Sequence, residues 1–404
     1  RILGLNETET VLNLEEAVAQ HHGQPSAVSI DCTPPNGIVA QPVKSAGEHW
    51  FQQLAQSPEI RREMRHVSAS NQIEPFLIDD SAPQARNLPW ESLRDPDNAD
   101  YLALRKNRPV GRIAATLRQR EFRWRFFPPF RVFAVIAAAG VDGKPQWEAI
   151  RAALDASGCD YQFLTLTSDS QLLDHIKAKE ALNPNLKGDK LISDQGEFRD
   201  VLAAKIGMFR PHALHFFGHG STGLTPKIEL ASINDFLAQK LHGSLQLDPN
   251  FFTDALEQHP EIWMVTLTAC SSAQSVKGSN SFAREVAEKG IHTVVGMREP
   301  ITDRDAEQFS RHFYREVGET VKNLGLNQTQ SVPWVATITD ARRSFGNNAN
   351  PDHLHVNGEW TMPIVYSLPD DFELTADSRR INPALDSQRY FELLGNCLLY
   401  TSDA

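Results

Sequence analysis

The stretch that decides the fold is Ala213-Leu214-His215-Phe216-Phe217, which runs directly into Gly218-His219-Gly220-Ser221. A continuous apolar run of this length is typical of a parallel strand that is buried on both faces. A histidine between two glycines at the end of such a strand lies on a tight, exposed turn, where a backbone N–H can approach a ligand closely. The stretch therefore predicts a central strand that ends in a functional loop.

Four further apolar runs of strand length surround this one, and amphipathic helical stretches separate them. Apolar residues recur with helical spacing in Trp147–Leu154 and in Phe198–Ile206, and Thr302 precedes a helix with Asp303 and Asp305 in its first turn. This alternation predicts an α/β fold, a three-layer sandwich whose mostly parallel central sheet is flanked by helices. The four runs are Val132–Ala137, Phe163–Leu166, Ile262–Leu267 and Ile291–Val295.

Length and composition exclude several classes of protein. The chain has 404 residues, enough for a sizeable core, and its 40 basic and 51 acidic residues give a net charge of −11, which argues against broad binding to nucleic acid. Its 4 cysteines are too sparse for a disulfide scaffold. The sequence has no apolar run of transmembrane length and no signal peptide. We expect a globular, cytoplasmic protein with no membrane partner.

One local segment could still bind nucleic acid. Residues 86–131 hold eleven Lys and Arg against five Asp and Glu, and aromatic residues such as Trp124 and Phe126 lie among the arginines. Such a pattern can stack bases. The interpretation we favour is a solvated linker helix whose aromatic residues pack on a sheet, because the segment leads directly into a core strand. A nucleic-acid partner is therefore not expected.

We predict three parts along the chain. Residues 1–45 form an amino-terminal segment of strands and loops, which belongs either to the same domain or to the end of an upstream module. Residues 46–375 form the main domain, with an amino-terminal part at 46–130 and an α/β core at 131–375. Residues 376–404 are a polar tail outside the fold. Because the chain starts at Arg1, we expect that an upstream portion is missing.

Two strand ends carry groups that suit acyl transfer. His219 follows one strand, and Cys270 follows the run that ends at Leu267. A thiol with a pKa of about 8.5 is mostly protonated at neutral pH, and a neighbouring imidazole can take its proton and later protonate the leaving amine. The backbone N–H groups of Gly220 and Cys270 could bind the oxyanion. We therefore predict a Cys270–His219 dyad that uses no metal and no cofactor.

These motifs resemble the CHAT family of cysteine peptidases, a branch of the caspase-like fold that also includes separase. Caspase-type proteins place the histidine about 50 residues before the cysteine, and here the offset is 51. The resemblance covers roughly residues 45 to 368. It includes Leu88–Leu93, the histidine loop His215–Gly220, the nucleophile loop Leu267–Ser272, and Trp360 with Pro363–Tyr366.

The resemblance implies a caspase-like sandwich and an endopeptidase that cleaves a polypeptide, with His219 as general base and acid and Cys270 as nucleophile. Thr268 and Ser272 stand where caspases have Gln and Gly, so specificity for Asp does not follow. Asp303 is our candidate for a specificity acid, and its alternative role is that of a residue at the start of a helix. Relatives are usually gated by a sensing module, so an upstream or separate sensor protein is an expected partner.

A second hypothesis remains open. The chain could be a catalytically silent scaffold that keeps the caspase-like shape and binds partner proteins. Retention of both Cys270 and His219 speaks against it, because a silent scaffold needs neither group chemically. Taken singly, Cys270 would more often be a buried core thiol and His219 a turn residue.

Overall fold

The computed structural model describes fourteen segments of the chain. Three of the four cysteines, Cys32, Cys270 and Cys397, lie outside these segments, as does Ser271. The described residues are 2–4, 43–65, 73–80, 86, 88–98, 100–114, 116, 123–191, 195–221, 226–269, 272, 281–346, 358–368 and 372–378.

Helices and strands alternate through most of the described chain. The helices are α1 (Val43–Leu54), α2 (Pro58–Arg65), α3 (Lys144–Ser157), α4 (Ser170–Glu180), α5 (Gln195–Phe209), α6 (Ile233–Leu237), α7 (Phe251–Gln258), α8 (Phe282–Glu288), α9 (Asp303–Lys322) and α10 (Thr337–Gly346). The strands are β1 (Ile2–Gly4), β2 (Phe76–Ile78), β3 (Arg94–Asp95), β4 (Asp100–Tyr101), β5 (Val110–Ile113), β6 (Arg123–Phe126), β7 (Phe130–Ile136), β8 (Tyr161–Thr167), β9 (Leu186–Lys190), β10 (Ala213–Phe217), β11 (His219–Ser221), β12 (Lys227–Leu230), β13 (Leu245–Leu247), β14 (Met264–Leu267), β15 (Thr293–Met297), β16 (Thr329–Ser331), β17 (Pro363–Ser367) and β18 (Glu373–Ala376).

A large sheet of ten strands forms the centre of the molecule. Its order is β1-β2-β5-β17-β15-β14-β10-β7-β8-β9. Neighbouring strands in this sheet are parallel except at β1–β2 and β15–β17. The strands β15, β14, β10, β7, β8 and β9 therefore run in one direction, and their carboxyl ends meet at one edge of the sheet.

Alternate side chains of the central strands point into two separate hydrophobic cores. In β7, Val132 and Ala134 belong to the core that contains residues of α3 and α9, whereas Phe133 and Val135 belong to the core that contains residues of α5 and α7. A strand with helices on both faces must be apolar on both, which explains the uninterrupted apolar run in the sequence. The predicted three-layer sandwich with a mostly parallel central sheet is confirmed.

The ends of the helices follow local sequence signals. The Thr302 hydroxyl accepts a hydrogen bond from the N–H of Asp305 (3.1 Å) and so caps α9, as predicted. Helix α3 ends at Ser157 and is followed by Gly158, whose φ of 67° is a left-handed conformation that glycine adopts without strain. These caps fix where each helix begins or ends relative to the sheet.

The aromatic residues of the basic segment pack inside the protein. The ring of Trp124 stacks on that of Phe372, with centroids 4.4 Å apart, and its indole N–H donates to the carbonyl oxygen of Pro260 (2.9 Å). Phe126 is also buried, as is Arg112. The prediction that these aromatic residues pack inside the protein is confirmed for Trp124 and Phe126. The predicted linker helix is wrong for Arg123–Phe126, which forms strand β6, because arginine and aromatic residues alternate there with the two-residue period of a strand. Within the segments described above, no helix is both long and apolar enough to cross a membrane.

Candidate active site

The two strands that carry the predicted dyad are neighbours in the central sheet. Strands β10 and β14 are parallel, and Phe216 lies opposite Leu267 in their register. His219 comes two residues after the end of β10, and Cys270 comes three residues after the end of β14. The strand ends that precede both residues therefore meet at the same edge of the sheet.

Cys270 itself lies outside the described residues, but the chain on either side of it is described. The N–H of Thr268 donates to the carbonyl oxygen of Phe216 (3.0 Å), which extends the pairing of the two strands by one step. Beyond the cysteine, the N–H of Ser272 donates to the carbonyl oxygen of Ala269 (3.2 Å). The described flanks of Cys270 are thus held close to the end of the strand that leads to His219.

The sequence predicted an exposed turn for His219, and the structure corrects this. His219 is half-buried and begins the short strand β11, which pairs with β12 and brings His219 opposite Glu229. A side chain at Gly218 could not be accommodated, because its Cβ would lie 2.7 Å from the carbonyl oxygen of Glu229 and 2.8 Å from Leu230 Cδ2. Glycine therefore allows the backbone to approach β12 closely just before His219.

The imidazole of His219 is oriented by a backbone carbonyl. Its Nε2 lies 2.7 Å from the carbonyl oxygen of Ala139. A carbonyl oxygen can only accept, so Nε2 carries the proton, and in the neutral ring Nδ1 holds the free lone pair. Among the described residues, no hydrogen-bond partner of Nδ1 is found. The imidazole rings of His219 and His242 are neighbours, and their centroids lie 6.4 Å apart.

Gly220 and Asp303 lie at different places along this edge. Gly220 is half-buried on β11, opposite Ile228 of β12. Asp303 is exposed and is the first residue of α9, the helix that follows β15. Its carboxylate accepts a hydrogen bond from the N–H of Arg304 (2.9 Å). The structure thus gives Asp303 the first-turn position that was its alternative interpretation, and a role in specificity stays a prediction.

Sequence reasoning missed two groups near the site. Ala139 contributes only its carbonyl oxygen, so no side-chain signal could have revealed it. His215 is fully buried, and its partner Gln146 on α3 was not anticipated. A glutamine on an otherwise apolar helix face was the available signal for that contact.

The described part of the chain offers no group of three or more His, Cys, Asp or Glu side chains that could hold a metal ion. Cys159 is buried, and burial raises the pKa of its thiol.

Comparison with known proteins gives one family. A family model described as "CHAT domain" matches residues 44–337. A comparison with curated proteins finds no match.

Two solved structures show weak similarity. A chain from the Saccharomyces cerevisiae separase–securin complex is 12% identical, with a TM-score of 0.36 and coverage of 73% of this chain and 15% of that one. This chain therefore spans about 15% of the length of that relative. Gre2 from Candida albicans, solved in complex with NADPH, is 11% identical, with a TM-score of 0.25 and coverage of 62% and 91%. TM-scores this low do not establish a common fold.

Proposed function

Because the chain belongs to the CHAT domain family, we propose that it is a cysteine endopeptidase in which Cys270 is the nucleophile and His219 is the general base and acid. One observation carries the proposal. The Ala139 carbonyl fixes the proton of His219 on Nε2 at the edge where β10 and β14 end, which leaves Nδ1 to receive the proton of a thiol.

The proposed reaction uses each nitrogen of the ring for a different purpose. The Cys270 thiol gives its proton to Nδ1 of His219, and the thiolate attacks the carbonyl carbon of the scissile amide. The N–H groups of Gly220 and Cys270 stabilise the resulting oxyanion. The C–N bond then breaks as Nδ1 returns the proton to the leaving amine, and a thioester remains on Cys270. A water molecule, deprotonated by Nδ1, then attacks the thioester carbon; the C–S bond breaks, the carboxylic acid leaves, and the proton on Nδ1 returns to the Cys270 thiolate.

The Ala139 carbonyl has a distinct part in this proposal. The Nε2–H group of His219 donates to this carbonyl both in the neutral ring and in the protonated ring. The negative end of the carbonyl dipole faces the positive charge that develops when Nδ1 is protonated. It therefore acts as a positioning and stabilising group. It plays the part that a carboxylate plays in a catalytic triad.

The proposed substrate is a polypeptide, and Asp303 is the proposed specificity acid. Its exposed carboxylate follows β15, the strand next to β14, so a substrate residue with a positive charge could reach it from solvent. Replacement Asp303→Asn should then lower kcat/KM for substrates with Lys or Arg at that position and leave other substrates unchanged. We further propose that a sensor protein or upstream module gates the enzyme, and that the enzyme acts in the cytoplasm.

Labelling with an electrophilic peptide ketone tests the dyad. We expect one equivalent to attach to Cys270, and we expect Cys270→Ala and His219→Ala to abolish labelling. Cys159→Ala is the matched control, because that thiol is buried away from the candidate site, and it should leave labelling unchanged.

The absence of any capture, including in the presence of an activating partner, would contradict the proposal and favour the silent scaffold. If Cys270 is captured, a peptide library is treated with the parent and with Cys270→Ala, and sequencing of the new termini identifies the cleavage preference.

A further inference from the structure

A group of polar side chains is buried directly beneath the candidate active site, where apolar residues would be expected. All of its members have 2% or less of their surface exposed. Burying a polar side chain costs free energy that its hydrogen bonds recover only in part. Hydrophobic residues at these positions would avoid that cost in stability. The members are Gln146 on α3, His215 on β10, Thr268 after β14, and Ser310 and Tyr314 on α9.

These side chains form one connected network. The Gln146 amide nitrogen donates to the Ser310 hydroxyl (2.6 Å) and lies 3.0 Å from His215 Nε2. The other ring nitrogen of His215 lies 3.1 Å from the Tyr314 hydroxyl. Thr268 Oγ1 lies 3.1 Å from His215 Nε2. The network therefore joins two helices on one face of the sheet to the strands that lead to His219 and Cys270.

Thr268 is where this network meets the nucleophile loop. Its hydroxyl donates to the carbonyl oxygen of Phe216 (3.2 Å), the same oxygen that accepts from the Thr268 N–H. Backbone and side chain of Thr268 are thus both tied to β10. Cys270 comes only two residues later.

Ser272 holds the chain on the other side of Cys270. Its buried hydroxyl donates to the carbonyl oxygen of Leu267 (3.1 Å) and accepts from the N–H of Met297 (2.9 Å). Its own carbonyl oxygen accepts from the N–H of Ala283 (2.9 Å), in helix α8. Ser272 is therefore fixed to β14, β15 and α8 at once.

We propose that the hydroxyls of Thr268 and Ser272 are positioning groups that hold both flanks of Cys270 in register with His219, and that His215 and Gln146 act through Thr268. This inference rests on the proposed function. A displacement of about 1 Å between reacting groups can lower a rate about 100-fold. Directional hydrogen bonds on both flanks restrict such displacement more than apolar packing does. Thr268 and Ser272 are also the positions at which this sequence departs from the caspase motif.

His215 serves this arrangement as a neutral group. Burial lowers the pKa of its imidazole to about 3, so the ring carries no charge at neutral pH. Both of its ring nitrogens are occupied by contacts within the network. It is therefore not a second base for Cys270.

The test measures the rate at which iodoacetamide alkylates Cys270 between pH 5 and pH 10, with the modified site assigned by mass spectrometry. In the parent we expect a reactive thiolate well below pH 8.5, and in His219→Ala that reactivity should be lost. Thr268→Val removes only the hydroxyl, and we expect it to slow labelling at pH 7 about tenfold or more and to move the pH midpoint towards that of an ordinary thiol. Ser272→Ala should act in the same way. With a cleavable peptide, both should lower kcat and leave KM nearly unchanged.

Two controls separate positioning from a loss of stability. Thr268→Ser restores the hydroxyl and should return the rate to within about threefold of the parent. Thr339→Val removes an equally buried hydroxyl on α10 that has no hydrogen-bond partner among the described residues, and it should not change labelling. All rates are taken well below the Tm of each variant. If Thr268→Val does not fold, Gln146→Met tests the same network from the helix side.

The outcomes distinguish the two proposals. If the parent shows His219-dependent reactivity, and Thr268→Val and Ser272→Ala keep its rate and pH profile, the positioning inference is overturned while the proposed function stands. If Cys270 of the parent titrates as an ordinary thiol and His219→Ala changes nothing, the proposed function is overturned and this inference falls with it.

Discussion

Replacing Glu91 with Gln should destabilise the protein strongly, because Glu91 is the centre of a buried ion cluster. Arg112 donates to its two carboxylate oxygens from Nε (3.0 Å) and Nη2 (2.8 Å), and from Nη1 to Asp80 (2.9 Å). Arg342 and Arg298 lie 3.9 and 4.0 Å from the same carboxylate. Glu91, Asp80, Arg112 and Arg342 are all completely buried.

The magnitude follows from the charge that the substitution leaves behind. Glu91→Gln keeps the shape but removes a negative charge that faces three guanidinium groups, and it points an amide N–H at a donor. Breaking a buried ion pair in this way costs about 3–5 kcal/mol. At an unfolding entropy of about 2.1 cal/mol/K per residue, a chain of this length should lose roughly 4–6 °C of Tm.

The dependence of stability on pH provides a second readout. Burial alone would raise the pKa of the Glu91 carboxyl, but the charge and hydrogen bonds of Arg112, helped by Arg342 and Arg298, outweigh it and hold the pKa below its ordinary value. Its contribution to stability is therefore present above the ordinary pKa of about 4.3 and is lost as the pH falls through the lower folded value. The free energy of unfolding of Glu91→Gln should therefore decrease less than that of the parent as the pH falls.

Calorimetry and urea unfolding at pH 7 measure the loss of stability, and the same measurements repeated at decreasing pH measure its dependence on pH. Glu319→Gln is the control, because Glu319 pairs with Arg315 on the surface of α9, where such a pair contributes at most about 0.5 kcal/mol. If the Tm of Glu91→Gln lies within 1 °C of that of the parent, and both proteins lose the same stability in acid, the cluster does not stabilise the protein in the way described.

Three further substitutions test separate parts of the fold. The carboxylate of Asp235 accepts hydrogen bonds from the N–H groups of Ser232 and Ser244. Asp235→Asn should therefore lower the free energy of unfolding in urea by about 1–3 kcal/mol, and an unchanged urea midpoint would refute this. Burial, together with neighbouring Asp340, raises the pKa of Glu316 to about 7, so the stability that this carboxyl contributes below pH ~4.5 is lost as the pH rises through 7. Glu316→Gln should therefore raise Tm at pH 8 by ~2 °C but not at pH 4, and equal shifts at both pH values would contradict the assignment. A Cβ at Gly318 would overlap the hydroxyl of Ser157, so Gly318→Ala should lower stability by about 1–3 kcal/mol, and a variant as stable as the parent would show that α3 and α9 can move apart freely.

Much of the fold could be predicted because its signals are local. The strand Ala213–Phe217 was predicted with its observed bounds, and the cap at Thr302 was predicted from its residue type. The apolar runs before His219 and Cys270 predicted that each residue follows a strand end, and the two strands proved to be neighbours in the sheet. Such predictions succeed because periodicity and capping depend on residues that are close in the chain.

The sequence alone determined the alternation of strands and helices, the polar strand ends, and the residue types available for chemistry. Only the tertiary structure decided that β17, late in the chain, lies between β5 and β15, because strand pairing joins residues that are distant in sequence. Only it decided that Ala139 orients His219 and that Thr268 lies against His215. A backbone carbonyl is the same group in every residue, and a buried hydroxyl resembles an exposed one in the sequence, so the role of each is set by what the fold packs against it.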